Sequence, residues 1–430
     1  MTDEQNDDEQ IDMNYRIGTK HMDDVFKILS RFALAGLLTA VLATSASAGD
    51  REKVKRIYDR IAGVPPTAAV MAELEAAMLG TNPACAGYVL TGNDAGAECA
   101  AYIAMENTNF YNVTLKNFAA PWTNRDRSVF VPLNDYIATV IGMIRDDQAF
   151  NQLLSSDITY VGRAGNVSAL PAANNNDHYA QLEAGNINLR DELELRLQSS
   201  VNGLPPNATA GVLTSRAASE AFFVAGTNRA MFRFTMLNHF CNDMEQLHDP
   251  ALPPDRIRQD VSRSPGGDSR LFLNNCIGCH TGMDPMAQAF AYYDYDDDVE
   301  DGDPASMTLE YTPGSVQAKY FNNNLNFPPG YETPDDHWDN YWRKGQNAYL
   351  GFDNALPGSG NGAKSLGEEL GNSQAFASCQ VKKVFQAVCL RAPEDAGDRN
   401  KAEEIIATFR NTGYRMKQVF ADTAVHCMGQ

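Results

Sequence analysis

Two cysteines three residues apart, with a histidine directly after them, mark the stretch Cys276-Ile277-Gly278-Cys279-His280 as the place where this chain carries chemistry. Three chemistries use such residues. The first is thioether attachment of haem. Each thiol adds to one vinyl group, the two vinyls sit on neighbouring pyrroles, and a three-residue step reaches both. The next residue then presents its imidazole to the iron as the proximal ligand. Gly278 lets the backbone approach the ring closely. The second is a zinc knuckle, which needs two further ligands at matching spacing, and no second C-x-x-C is present. The third is a redox dithiol, which would open a helix after a strand; no strand pattern precedes Cys276. One C-x-x-C-H gives the expectation of one covalent haem c, with Cys276 and Cys279 as attachment points and His280 on the iron.

The sixth iron position separates electron transfer from small-molecule chemistry. A methionine or histidine there makes a carrier; an open position binds peroxide or another small molecule. Met283 follows His280 by three residues and does not reach the other face of a haem. Met286 reads as core. Met307, in PASMTLEY, sits in irregular chain between two helical segments and is the expected distal ligand. His337, beside Trp338, is the second choice. His239, Met236 and Met244 share one helical stretch and read as core or surface, and His426 and Met428 lie beside Cys427. Asp284-Pro285 reads as a helix start, with Asp284 as cap and Pro285 in the first turn. The other reading of Asp284 is a hydrogen bond that orients the proximal imidazole.

The elements that must position these residues read as mainly α-helical. Val54, Ile57, Tyr58 and Ile61 share a face over residues 50–62. Pro65-Pro66 ends that helix, and Thr67 can cap the next, which carries Val70, Leu74 and Met78. Leu133, Tyr136, Ile137, Val140, Ile141 and Ile144 form a helical stripe in residues 133–154. Residues 164–210 are polar and Asn-rich and read as loop. A helix is expected over 227–247, another over 284–293, and two more over 364–391 and 399–422, with Trp338 and Trp342 in the core and Ser365 as a cap. Between them, 304–363 reads as a long irregular connection. The expected organisation is a leader (1–48), an N-terminal helical domain (49–215) and a haem c-binding helical domain (216–430).

The apolar run FALAGLLTAVLA (32–43) follows Lys27 and Arg31 and precedes Ala46-Ser47-Ala48. It is short for a membrane span and has the layout of a secretory signal cleaved after Ala48. The periplasm is the expected location, with the cell surface as the other exported destination, and no later segment reads as a membrane span. The formal charge of −20 argues against nucleic acid and favours a basic redox partner. Seven acidic residues crowd positions 294–303; they read as a solvated loop, with docking of a basic partner as its functional counterpart. Eight cysteines occur, and export permits disulfides. With Cys276 and Cys279 set aside, six remain: Cys85 and Cys99 flank a short loop and are an expected pair, and one pair is expected among Cys379, Cys389 and Cys427. The partner of Cys241 stays open.

The stretch CIGCHTGMDPMAQAFAYYD (276–294) resembles the C-x-x-C-H-x-x-x-D-P signature of the planctomycete-type cytochrome c family. GAKSLGEELGNSQAFASCQVKKVF (362–385) resembles that family's C-terminal helical segment, with Ser373, Phe376 and Cys379 in its Ser-x-x-Phe-x-x-Cys pattern. AGVLTSRAASEAF (210–222) is similar to a turn-plus-helix found there. The resemblance spans roughly residues 210–425 and implies an exported haem c protein of electron transfer. A haem-dependent oxidoreductase or peroxidase, or the haem subunit of a larger periplasmic dehydrogenase complex, is the alternative.

Overall fold

The computed structural model describes residues 49–90, 92, 94–223, 227–295, 307–321 and 327–429. The leader and most of the acidic run (296–303) lie outside the described residues. The fold is mainly helical, with three two-stranded antiparallel ribbons among the described residues.

The first described helix, Asp50–Ala62, buries Val54, Ile57, Tyr58 and Ile61, as their spacing predicts. Thr67 caps the next helix, Ala68–Met78, by accepting a hydrogen bond from the Val70 amide at 3.3 Å. Both pack on Ala95–Met105, and the last helix, Met416–Cys427, packs on that same helix and on Gln374–Cys389. The first and last described helices thus share one bundle: Arg56 donates to the Met428 carbonyl at 2.8 Å. Asp50–Met428 forms one compact unit, and its largest cluster of buried apolar side chains draws on residues both before and after 215. The expected boundary at 215 therefore coincides with no break in the packing.

Several segments differ from the sequence reading. The 133–154 stripe is split. A helix spans Asp135–Arg145, Asp147 turns left-handed at φ 51°, and a 3-10 segment, Phe150–Leu154, carries the rest of the apolar run. The 227–247 helix stops at His239, and Cys241 adopts φ 55°. The 164–210 region holds a helix, Asp177–Ala184, and a strand, Leu193–Arg196, which pairs with Thr159–Gly162. The 364–391 stretch is two helices, Gly362–Gly371 and Gln374–Cys389, broken where Ser373 caps the second. Ser365 lies inside the first of these and is no cap; its hydroxyl donates to the Asn361 carbonyl and accepts from the Trp338 indole at 2.8 Å. The 399–422 stretch is likewise two helices, Ala396–Asn411 and Met416–Cys427.

Three disulfides form: Cys85–Cys99, Cys241–Cys379 and Cys389–Cys427. The first is the pair expected from the short loop, and the third is the pair expected among the last three cysteines. The second supplies the partner of Cys241. No helix among the described residues is long and apolar enough to cross a membrane.

Candidate haem-attachment site

A π-helical turn, Phe272–Cys276, runs directly into the helix Ile277–Ala287, so the whole motif lies on helical backbone. At helical spacing Cys276, Cys279, His280 and Met283 fall on one side, while Gly278 and Gly282 fall on the other. The glycine side is the packing side. A Cβ on Gly278 would come within 2.4 Å of the His248 ring, and one on Gly282 within 2.0 Å of the Trp342 indole nitrogen. Two rings thus press against bare backbone and fix the depth at which the motif helix sits. Trp342 is fully buried and Trp338 nearly so, as expected of core aromatics.

The other side is more open. Cys276 and Cys279 are partly exposed free thiols, the two cysteines outside the three disulfides. The Cys279 thiol points at the Met244 carbonyl, 3.4 Å away. Burial, assisted by Glu245, pushes its pKa up. A thiol held protonated is a poor redox nucleophile. Leu271 and Leu273, just before the motif, expose apolar surface. Among the described residues no cluster of three or more His, Cys, Asp or Glu side chains is arranged to hold a metal ion.

His280 is held from one nitrogen. Its Nδ1 lies 3.1 Å from each carboxylate oxygen of Asp284, one helical turn on. Asp284 is fully buried. Burial alone would raise its pKa, but Arg229, then His280 and Arg258, hold it well below the usual carboxylate range. An ionised carboxylate only accepts, so Nδ1 is the donor, which leaves Nε2 as the lone pair of the neutral ring. This corrects the first reading of Asp284-Pro285. The motif helix runs through both residues, and Asp284 spends its oxygens on His280 and Arg229 rather than on a helix N-terminus.

Arg229 grips Asp284 at 2.8 and 3.2 Å and, with its other edge, Asp260 at 2.7 and 2.9 Å. Arg258, almost fully buried, lies 3.3 Å from Asp260, and its backbone amide faces Asp284 at 3.4 Å. Two guanidiniums balance two carboxylates, which is the condition under which buried charges persist. Sequence reasoning missed Arg229, Asp260, Arg258 and His248. Their distance along the chain hid them, for Arg229 precedes Asp284 by 55 residues.

The structure brings Cys276, Cys279, His280 and Asp284 together. Met307 lies two residues before the Leu309–Tyr311 strand and is packed, partly buried, on the main core. Leu309, two residues on, lines a small cavity with Asp135, Thr159 and Arg216. The other candidates are spread out. Met286 and Met236 are fully buried in the main core, with Met283 and Met244 nearly so. His337 sits on a ribbon with its Nε2 3.6 Å from Asp339. His426 bonds Asp398 at 2.8 Å. His239 is buried against Tyr136 at 2.7 Å.

The residues present fit a covalent haem c. Two unpaired thiols stand three apart on one side of a helix, and an imidazole beside them is anchored through Nδ1 with Nε2 free. No family model, curated protein or solved structure matches this chain.

Proposed function

We propose that this protein is an exported mono-haem c-type cytochrome that transfers electrons. One observation carries the reading: six of the eight cysteines are paired, and the two left free are those of C-x-x-C-H, beside a histidine anchored for ligation. The likeness of residues 276–294 to the planctomycete-type signature supports it. Disulfides belong to oxidising compartments, in keeping with the signal-like leader. The haem, when bound, supplies a one-electron iron couple. The chain's own part is to hold the two thiols on one side of a helix, to fix the imidazole through Nδ1, and to seat that helix on Trp342 and His248. The acidic residues outnumber the basic ones in this chain, and this balance would steer a basic redox partner.

A haem oxidoreductase is the second reading, favoured because the histidine candidates for the sixth position already face Tyr136, Asp339 and Asp398. Expression in a periplasm equipped for haem attachment tests both. The expected product carries one haem that survives denaturing electrophoresis, and Cys276→Ala with Cys279→Ala abolishes it. A haem-free wild-type protein would sink both readings. Carbon monoxide added to the ferrous protein then separates them: an unchanged spectrum means a six-coordinate carrier, and prompt binding means an open iron and the enzyme reading.

A further inference from the structure

Asp284 is a fully buried anion on the same helix as His280, and it does not stand alone. Both of its oxygens face Nδ1 at 3.1 Å. Arg229 holds it from behind through Nε and Nη2, and Asp260 holds Arg229 through Nη1 and the same Nη2. Arg229 also donates to the Thr227 hydroxyl at 2.8 Å, so nearly every donor of the clamp is used. Such an assembly exceeds what orienting a ring requires, since one backbone carbonyl would serve for that.

We propose that Asp284, clamped by Arg229, is a positioning residue that makes His280 a strongly electron-donating ligand and so biases the bound iron towards the ferric state. The proposal rests on the haem reading given above. A carboxylate bonded to the second nitrogen of a ligating imidazole raises the basicity of that ligand. A more basic ligand stabilises the higher oxidation state, which lowers the reduction potential. The step affected is the gain of one electron by ferric iron to give ferrous iron; no proton or second reactant takes part. Geometry keeps the effect constant. The i, i+4 spacing sets the ring against the carboxylate, and the double grip of Arg229 stops the carboxylate from turning away.

The test is a mediated redox titration of the haem-loaded protein, with EPR of its ferric form. Asp284→Asn keeps the shape and removes the charge. The ferrous-to-ferric ratio at a fixed potential is expected to rise about tenfold or more, which for one electron is about 59 mV. The ferric EPR g-values move with it. Asp260→Asn removes the same charge one step further along the network and is expected to change the ratio less than about threefold. If Asp284→Asn does not accumulate, Arg229→Lys conserves charge while losing the two-pronged grip, and it should move the ratio the same way by about threefold. Failure to attach haem in the wild type would overturn the haem reading and this inference together. Attached haem with an unmoved potential in Asp284→Asn, or in its Arg229→Lys substitute, would overturn this inference alone. An equal shift in Asp260→Asn would also overturn it, because the charge of the cluster and not the bond to His280 would then set the potential.

Discussion

His239 and His280 are both held by one side chain through one ring nitrogen, and they are built for opposite ends. The Nε2 of His239 meets the Tyr136 hydroxyl at 2.7 Å, deep in the core, and its Nδ1 has no partner among the described residues. Its ring is enclosed by Trp122, Tyr136 and Phe376. Burial first, and Lys383 second, push its pKa well below 6.5, so it stays neutral. His280 has an anion on Nδ1 and is only partly buried. The two rings thus differ in which nitrogen is occupied, in the charge of its partner and in burial.

The strongest way to break this comparison is to remove each ring. His280→Ala should lose nearly all stable haem absorbance, while His239→Ala retains it. The second variant should instead lose about 3 kcal/mol of unfolding free energy in a denaturant titration of apo-protein, from a cavity and an orphaned Tyr136 hydroxyl. Loss of haem in both, or in neither, would erase the distinction.

The next effect concerns how the motif helix is seated. Gly282→Ala meets the fully buried Trp342 and should cost about 2 kcal/mol, read as a lowered Tm. Gly278→Ala meets His248, which is only partly buried and can swing aside, so less than about 1 kcal/mol is expected. The reverse order would show that His248, not Trp342, fixes the helix.

The smallest effect is on pH dependence. The depressed pKa of His239 means that the unfolded chain takes up a proton near pH 6.5 while the folded chain does not. Its contribution is present above that pH and fades as pH falls. Asp422 has the opposite sign. Burial first, with Glu98 adding, raises its pKa to about 6 from 3.8, and the Gln418 amide partly offsets this. Its contribution is full below about pH 4 and is lost as pH rises through about 6. Asp422→Asn should therefore stabilise the protein at pH 7 by about 1 kcal/mol and leave the rise of stability with pH due to His239 more visible. Unfolding titrations at pH 4, 5, 6 and 7 check this; a flat difference between variant and wild type would refute it.

What the sequence disclosed follows the range of the forces involved. The Asp50–Ala62 helix, the Thr67 cap and the Cys85–Cys99 pair are local, and all three were legible. The Thr159–Gly162 and Leu193–Arg196 strands are four residues each, too short to display an alternation, and their pairing is set across the chain. The apolar pattern of 133–154 predicts one long helix because it continues past Asp147, whose left-handed backbone no hydrophobic spacing reveals. At the site, the thiols and His280 were plain from spacing. The clamp behind Asp284 was not, because Arg229 reaches it only through tertiary folding.

The Cys241–Cys379 bridge has a consequence for how this chain matures. Counted from the N-terminus, the next cysteine after Cys241 is Cys276, then Cys279, and only then Cys379. A chain oxidised as it emerges would offer Cys241 two wrong thiols before the right one. Correct pairing therefore demands either that the motif thiols be claimed before oxidation reaches them or that a mispaired bridge be reshuffled through thiolate exchange. The order in which thiols react, not only their positions, is thus constrained by the spacing of four cysteines.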